Sequence, residues 1–155
     1  MKPRLYLETT IAGYLMSRPT RDVITAAHQE ITREWWANRR RDFALFTSQV
    51  VIQEAGTGDP NASAQRLAIL KDIPMLEVSK DARAFARRLM KQVPLPARAA
   101  VDGLHIALAV VHKMEYLLTW NCAHIANAEL RNRIETVGVA RGHRAPIICT
   151  PEELL

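Results

Sequence analysis

The chain has 155 residues, of which 48% are hydrophobic, so it is long and apolar enough to bury the core of one compact domain. Charged residues make up 24%, a globular composition that excludes a disordered or fibrous protein. The 21 Lys and Arg exceed the 16 Asp and Glu, and the resulting net charge of +5 favours an anionic partner such as nucleic acid.

Five short apolar stretches are predicted to be strands. They are continuously apolar rather than alternating, which is typical of a parallel sheet with helices on both faces. In chain order they are 5–7, 43–47, 75–78, 116–119 and 147–149.

Helices are predicted between these strands, and several begin with clear capping residues. Ser48 is a good N-cap, Asp59 and Pro60 suit a helix start, and Thr150 with Glu153 forms a capping box. The segment 138–146 is predicted to be a loop. The predicted helices are 24–39, 49–54, 60–72, 80–91, 98–112, 123–136 and a terminal one after residue 150.

Four polar side chains are predicted to meet at one edge of the sheet. Glu8 follows the first strand, Asn121 follows the fourth, Glu54 lies on the short helix after the second, and Asp102 interrupts the apolar helix AAVDGLHIALAVV. Ligands of parallel α/β sheets bind beyond the carboxyl ends of the strands, where these four side chains can converge. Converging carboxylates need a cation, and oxygen ligands without a cysteine or a histidine pair favour Mg²⁺ or Mn²⁺.

A basic protein with such an acidic cleft suits phosphodiester hydrolysis, in which the ion activates a water and neutralises charge on the phosphate. The arginines would then guide the polyanion towards the cleft, although solvated helix faces are an equally simple explanation for them. The clustered arginines are Arg39, Arg40, Arg41, Arg83, Arg87, Arg88, Arg131 and Arg133.

Each candidate residue also has a purely structural explanation. Glu8 can pair with an arginine, Glu54 can be exposed on its short helix, and Asp102 can interact with the helix dipole. Asn121 can end the fourth strand as a turn residue. His105, three residues after Asp102, either hydrogen-bonds a site carboxylate or the substrate, or is a satisfied core histidine.

The two cysteines, Cys122 and Cys149, form no C-x-x-C pair and no zinc spacing with histidine. The N-terminus leads directly into a strand, without the pattern of a signal peptide. No apolar run approaches the ~20 residues needed to span a bilayer. We therefore expect a reduced cytoplasmic protein, folded as one domain over 1–155, with no membrane partner.

Several stretches together resemble a PIN domain, the fold of VapC-type toxin ribonucleases. YLETTIAGYL resembles the opening strand of the family, SQVVIQEA the helix with its second acid, and AVDGLHIALA the pattern around its third acid. YLLTWNCAHIAN resembles the strand that leads to the fourth polar position, and IICTPEELL the closing strand and helix. The resemblance covers essentially the whole chain.

This resemblance implies a three-layer α/β/α sandwich with a central, mainly parallel five-stranded sheet. It implies a Mg²⁺- or Mn²⁺-dependent endoribonuclease, the toxin of a VapBC-type toxin–antitoxin system, with RNA, a VapB-type antitoxin and a second copy of the chain as partners. The residues expected to bind the ion and catalyse the reaction are Glu8, Glu54, Asp102 and Asn121. The residues expected to support them are Thr10, which would hydrogen-bond Glu8, His105 and Thr119.

Two positions depart from the family pattern. The family usually has aspartate where this chain has Glu8, and it often has an acid where this chain has Asn121. Three carboxylates should hold one ion weakly in the free protein. The alternative function is a weakly active or inactive PIN-fold module that binds RNA or protein; a phosphatase is a weaker alternative, since no D-x-D motif follows the first strand.

Overall fold

The computed structural model describes residues 1–155 and contains one five-stranded sheet in the order β3-β2-β1-β4-β5. Every neighbouring pair of strands is parallel, which confirms the predicted sheet. β1 lies in the middle, between β2 and β4. The strands are β1 (Arg4–Leu7), β2 (Ala44–Ser48), β3 (Met75–Leu76), β4 (Tyr116–Leu118) and β5 (Ile147–Cys149).

Seven α-helices connect and cover the strands, and three short 3₁₀ helices lie at 40–42, 97–99 and 151–154. None of the helices is both long and apolar enough to cross a bilayer. The α-helices are α1 (Thr9–Met16), α2 (Val23–Asn38), α3 (Gln49–Ala55), α4 (Pro60–Leu70), α5 (Lys80–Gln92), α6 (Ala100–Val111) and α7 (Ala128–Ala140).

The central strand divides the core into two layers because successive side chains of a strand point to opposite faces. Leu5 and Leu7 belong to a cluster with Trp35 of α2. Tyr6 points the other way, into a larger cluster that includes Leu89 of α5 and Ile106 of α6. The molecule is therefore a three-layer α/β/α sandwich, as the sequence predicts.

Two helix predictions need correction. The sequence pattern does not predict α1, which starts directly after β1 because the Glu8 side chain caps it by accepting from the Thr10 amide. The helix expected over 123–136 begins instead at Ala128, where Asn127 is the N-cap, and it continues to Ala140 into the predicted loop. The residues in front of it form turns, which the Asn121 carbonyl stabilises by accepting from the amides of Ile125 and Ala126.

Two smaller differences concern strand and helix ends. β3 pairs over only two residues, although the sequence predicts 75–78, and the last helix is a 3₁₀ turn rather than an α-helix. The predicted capping box of Thr150 and Glu153 is present.

Candidate active site

Glu8 lies directly after the central strand and is only 4% exposed. Its Oε2 atom accepts from the Thr10 amide at 2.8 Å, from Thr10 Oγ1 at 2.7 Å and from Thr119 Oγ1 at 3.2 Å. No side chain donates to Oε1. Glu8 therefore has no arginine partner, and threonines from two neighbouring strand ends hold it instead. The expected hydrogen bond from Thr10 is present.

Glu54 lies on the last turn of α3 with 40% of its side chain exposed. Its Oε1 atom accepts from Thr9 Oγ1 and from His105 Nε2, each at 2.6 Å. His105 is completely buried, so it is at once a core residue and a partner of a site carboxylate. The Oε2 atom of Glu54 accepts no hydrogen bond from the protein.

Asp102 lies in the first turn of α6 and is 19% exposed. Its Oδ2 atom is 2.9 Å from Nδ1 of His124, which lies in the turns between β4 and α7. Asp102 is in the position that favours an acid through the helix dipole, and it also has a specific partner. His124 is not among the residues that the sequence pattern singles out.

Asn121 follows β4 and organises this turn. Its Oδ1 atom accepts from the backbone amide of His124 at 3.0 Å, and its backbone amide donates to Thr119 Oγ1 at 2.9 Å. Asn121 is thus a turn residue, and the turn places His124 beside Asp102. An amide oxygen that accepts one hydrogen bond retains a second lone pair.

These contacts close a ring at the carboxyl edge of the sheet, which we call the site ring. It is held by hydrogen bonds except at two links: Thr9 follows Glu8 in the chain, and Asp102 lies one turn from His105 on α6. The site ring therefore connects four segments that are remote in sequence. In order, the site ring consists of Glu8, Thr9, Glu54, His105, Asp102, His124, Asn121 and Thr119.

The two glutamates differ in electrostatics. Burial raises the pKa of Glu8, and the negative charge of Glu54 raises it further, although His105 and the Thr10 hydrogen bonds oppose this rise. Burial also acts to raise the pKa of Glu54, but hydrogen bonds from His105 and Thr9 outweigh it, so the pKa of Glu54 is lowered. A buried carboxyl that resists ionisation thus lies near one that ionises readily.

The carboxylate oxygens of the candidate residues are the type of ligand that a hard divalent ion prefers. Glu8, Glu54 and Asp102 each give one oxygen to orienting hydrogen bonds and keep the other without a protein partner. As they stand, however, no three Asp, Glu, His or Cys side chains lie close enough together to form a metal site. The chain therefore offers free oxygen ligands around the site ring, without a preformed cage.

The arginine clusters have different surroundings. Arg39 pairs with Asp42, Arg40 lies over the ring of Trp36, and Arg131 is 3.9 Å from Glu153. By contrast, four basic side chains make no salt bridge and line an open groove of about 440 Å³ between α5 and the end of α7, which we call the basic groove. They are Arg87, Arg88, Lys91 and Arg141.

α5 also approaches the site ring. α5 packs closely on α6, and a Cβ added at Gly103 would lie 3.0 Å from Sδ of Met90. Gly103 directly follows Asp102, and Lys91 directly follows Met90. The C-terminal turn of α5 is therefore next to the helix turn that carries Asp102.

No protein-family model matches the sequence, and no curated protein matches it. Solved structures of similar fold include the following two. VapC20 of Mycobacterium tuberculosis, a toxin that cleaves the sarcin–ricin loop, is 14% identical with a TM-score of 0.61, over 77% of this chain and 92% of that chain. A chain of VapBC2 from Rickettsia felis, solved with a DNA fragment from the promoter, is 14% identical with a TM-score of 0.54. This match covers 94% of the present chain and 97% of that chain. The chain therefore has the PIN-like α/β/α fold of VapC-type proteins.

Proposed function

We propose that the protein is a Mg²⁺- or Mn²⁺-dependent endoribonuclease, the toxin of a VapBC-type pair. The observation that supports this proposal is the site ring. It brings Glu8, Glu54 and Asp102 from three separate segments to the carboxyl edge of the sheet, each with one oxygen free. The shared fold with VapC20, a toxin that cleaves RNA at the sarcin–ricin loop, agrees with this chemistry.

The chain's own groups would perform distinct tasks. Glu8, Glu54 and Asp102 would hold the ion, with the Asn121 amide oxygen as an uncharged fourth ligand. A bound Mg²⁺ or Mn²⁺ would supply Lewis acidity for the attack of water on a phosphodiester. Because the pKa of Glu54 is lowered, its carboxylate is an anion at neutral pH, and its free Oε2 atom would accept a hydrogen bond from that water. Thr10 and Thr119 hold Glu8 in place throughout.

RNA would be bound through its phosphates by the basic groove. The groove carries four cations and only one acid, Asp81, and α5, which forms one of its walls, packs on α6, the helix that carries Asp102. The net charge of +5 assists the approach of a polyanion. An RNA strand that crossed α5 from the groove would reach the helix that carries Asp102.

Two protein partners belong to the same proposal. The likeness to VapBC2 of Rickettsia felis supports a VapB-type antitoxin, and the resemblance to the family supports a homodimer. Sedimentation of the purified chain at several concentrations tests the dimer: a concentration-independent monomer would contradict it.

The test is cleavage of a structured RNA in Mn²⁺ and in EDTA, with two matched variants. We expect cleavage that EDTA abolishes, that Asp102→Asn lowers at least ~100-fold, and that Asp72→Asn leaves unchanged. Asp72 is exposed and makes no hydrogen bond through its side chain, so it controls for loss of one negative charge. Cleavage that survives both EDTA and Asp102→Asn would contradict the proposal.

A second candidate is a non-catalytic module of the same fold that binds RNA or protein. The observation that favours it is that no three acids or histidines are gathered into a metal site. The same experiment separates the two functions: tight binding of RNA without cleavage in either Mn²⁺ or Mg²⁺ would identify the module.

A further inference from the structure

A row of polar side chains crosses the core behind Glu54. The Tyr6 hydroxyl lies 2.8 Å from Ser48 Oγ and 2.8 Å from His105 Nδ1, and Ser48 Oγ accepts from the Val51 amide at 3.3 Å. Tyr6, Ser48 and His105 are all completely buried. We call these three residues the buried relay.

Stability alone does not explain the buried relay. A buried hydroxyl or imidazole costs about 1–3 kcal/mol unless its hydrogen bonds are satisfied, and Phe or Leu would fill the same space without that demand. Burial raises the pKa of Tyr6 far above its ordinary value, so the phenol remains protonated and its hydroxyl always has a proton to donate. Every hydrogen-bonding group of the relay therefore needs a partner. At one end of the relay that partner is the Glu54 carboxylate.

One assignment of donors and acceptors satisfies every group in the row, and it requires the neutral imidazole of His105. A carboxylate only accepts, so Glu54 Oε1 accepts from Nε2–H of His105. In the neutral imidazole Nδ1 then accepts from the Tyr6 hydroxyl, and Tyr6 in turn accepts from Ser48. The Val51 amide supplies the last donor, so every group in the row has a partner.

We propose that the buried relay sets the direction of the Glu54 carboxylate, with Tyr6 and His105 as positioning residues for the nuclease proposed above. Glu54 lies on a helix of only seven residues and is 40% exposed, so its long side chain would otherwise sample several rotamers. His105 and Thr9 both donate to Oε1, which turns Oε2 away from the protein and leaves it free for an ion or a water.

The relay connects this orientation to rigid parts of the fold. Tyr6 belongs to the central strand, and Ser48 ends β2 and also caps α3, which carries Glu54. His105 lies one turn after Asp102 on α6. Shifting the central strand, β2 or α6 would therefore move Glu54. A displacement of about 1 Å in a catalytic group can cost ~100-fold in rate.

Substitutions of His105 separate positioning from simple packing. The amide nitrogen of glutamine is as many bonds from Cα as Nε2 of histidine, so His105→Gln can still donate to Glu54, whereas His105→Leu fills the core without a donor. We expect kcat to fall about 10-fold or less in His105→Gln and about 100-fold in His105→Leu, with KM changed less than about 3-fold in both. Equal kcat in the two variants, or higher kcat in His105→Leu, would overturn the proposal.

A tyrosine pair gives the matched control. Tyr6→Phe removes only the hydroxyl that bonds His105, while Tyr14→Phe removes a hydroxyl that makes no hydrogen bond. We expect Tyr6→Phe to lower kcat about 10-fold and Tyr14→Phe to leave it unchanged. Equal activity of these two variants would also overturn the proposal.

A readout independent of catalysis separates this proposal from the nuclease itself. The ¹⁵N resonances of the His105 ring in the full chain should show the Nε2–H tautomer, and both Tyr6→Phe and Glu54→Gln should shift them, while Tyr14→Phe should not. If the wild type cleaves no RNA but these shifts appear, the proposed function fails and the relay stands. If the ring shows Nδ1–H, or is unaffected by Glu54→Gln, the relay is overturned whatever the activity.

Discussion

The hydroxyl of Thr10, the second residue of the helix that Glu8 caps, donates to Glu8 Oε2 at 2.7 Å. The same oxygen atom of Thr10 accepts from the Trp120 amide at 2.8 Å. One hydroxyl group therefore joins the ends of β1 and β4 and orients the most buried acid of the site.

The first prediction concerns this hydroxyl. Thr10→Val keeps the shape of the side chain but leaves the Trp120 amide without a partner and removes one of the three hydrogen bonds to Glu8. We expect the free energy of unfolding to fall by about 1–3 kcal/mol in urea denaturation. Thr10→Ser keeps the hydroxyl, so its free energy of unfolding should fall much less. Equal stability of the two variants would show that the hydrogen bonds contribute nothing.

The second prediction is a pH dependence of stability that comes from Glu8. Because its pKa in the folded protein is raised above the ordinary 4.5, the folded state binds the proton more tightly than the unfolded state. The contribution of Glu8 to stability is therefore fully present below pH 4.5 and is lost as pH rises through the raised pKa. Glu8→Gln cannot ionise, so its free energy of unfolding should exceed that of the wild type near pH 7.

Denaturation of both proteins between pH 4 and pH 8 checks this sign. The difference between Glu8→Gln and the wild type should shrink as pH falls towards 4.5, where the wild-type carboxyl becomes protonated too. Glu54→Gln is the internal contrast. Its lowered pKa predicts the opposite sign, with the wild type more stable than the variant at neutral pH.

The third prediction concerns the divalent ion. An ion that binds only the folded protein stabilises it by about 2.7 kcal/mol at 100 times its Kd, so Mn²⁺ should raise the Tm of the wild type. Asp102→Asn should remove most of this rise, and the exposed Asp72→Asn none of it. A rise of equal size in all three proteins would mean that Mn²⁺ binds elsewhere.

The fourth prediction concerns the basic groove. Arg87→Gln with Arg88→Gln should weaken binding of single-stranded RNA in EDTA, and the slope of log K against log salt should fall by roughly 0.7 for each phosphate that the variant no longer neutralises. Arg41→Gln with Arg133→Gln is the matched control, since both arginines are exposed and lie outside the groove. Equal slopes for the two double variants would exclude the groove as an RNA-binding surface.

Much of the fold is predictable because the strands are short, apolar and separated by helices. The order β3-β2-β1-β4-β5 is not visible in that pattern, since it depends on which strands pair in space. α1 escapes prediction because its first residues, Thr9 and Thr10, favour strands as much as helices. The late start of α7 at Ala128 has a visible signal in Asn127, an N-cap residue followed by Glu129.

For the candidate site, the sequence indicates the acids but not their partners. Glu8, Glu54 and Asp102 stand out because charged groups interrupt apolar stretches. Tyr6 looks like an ordinary strand residue, and His124 falls in the helix that the sequence pattern predicts over 123–136. Their roles arise only from contacts between segments about 20 to 100 residues apart, as in the bonds of His124 to Asp102 and of Tyr6 to His105.

The central place of β1 has a consequence for motion. Its residues Leu5 and Tyr6 are fully buried and paired on both sides, so their amide protons should exchange with deuterated solvent only when the whole molecule unfolds. Cys122 and Ala123 are exposed outside the sheet, so their amide protons should exchange by local opening, well before that. Glu8 is thus anchored to the segment that should exchange most slowly, whereas we expect the contact between His124 and Asp102 to open more often.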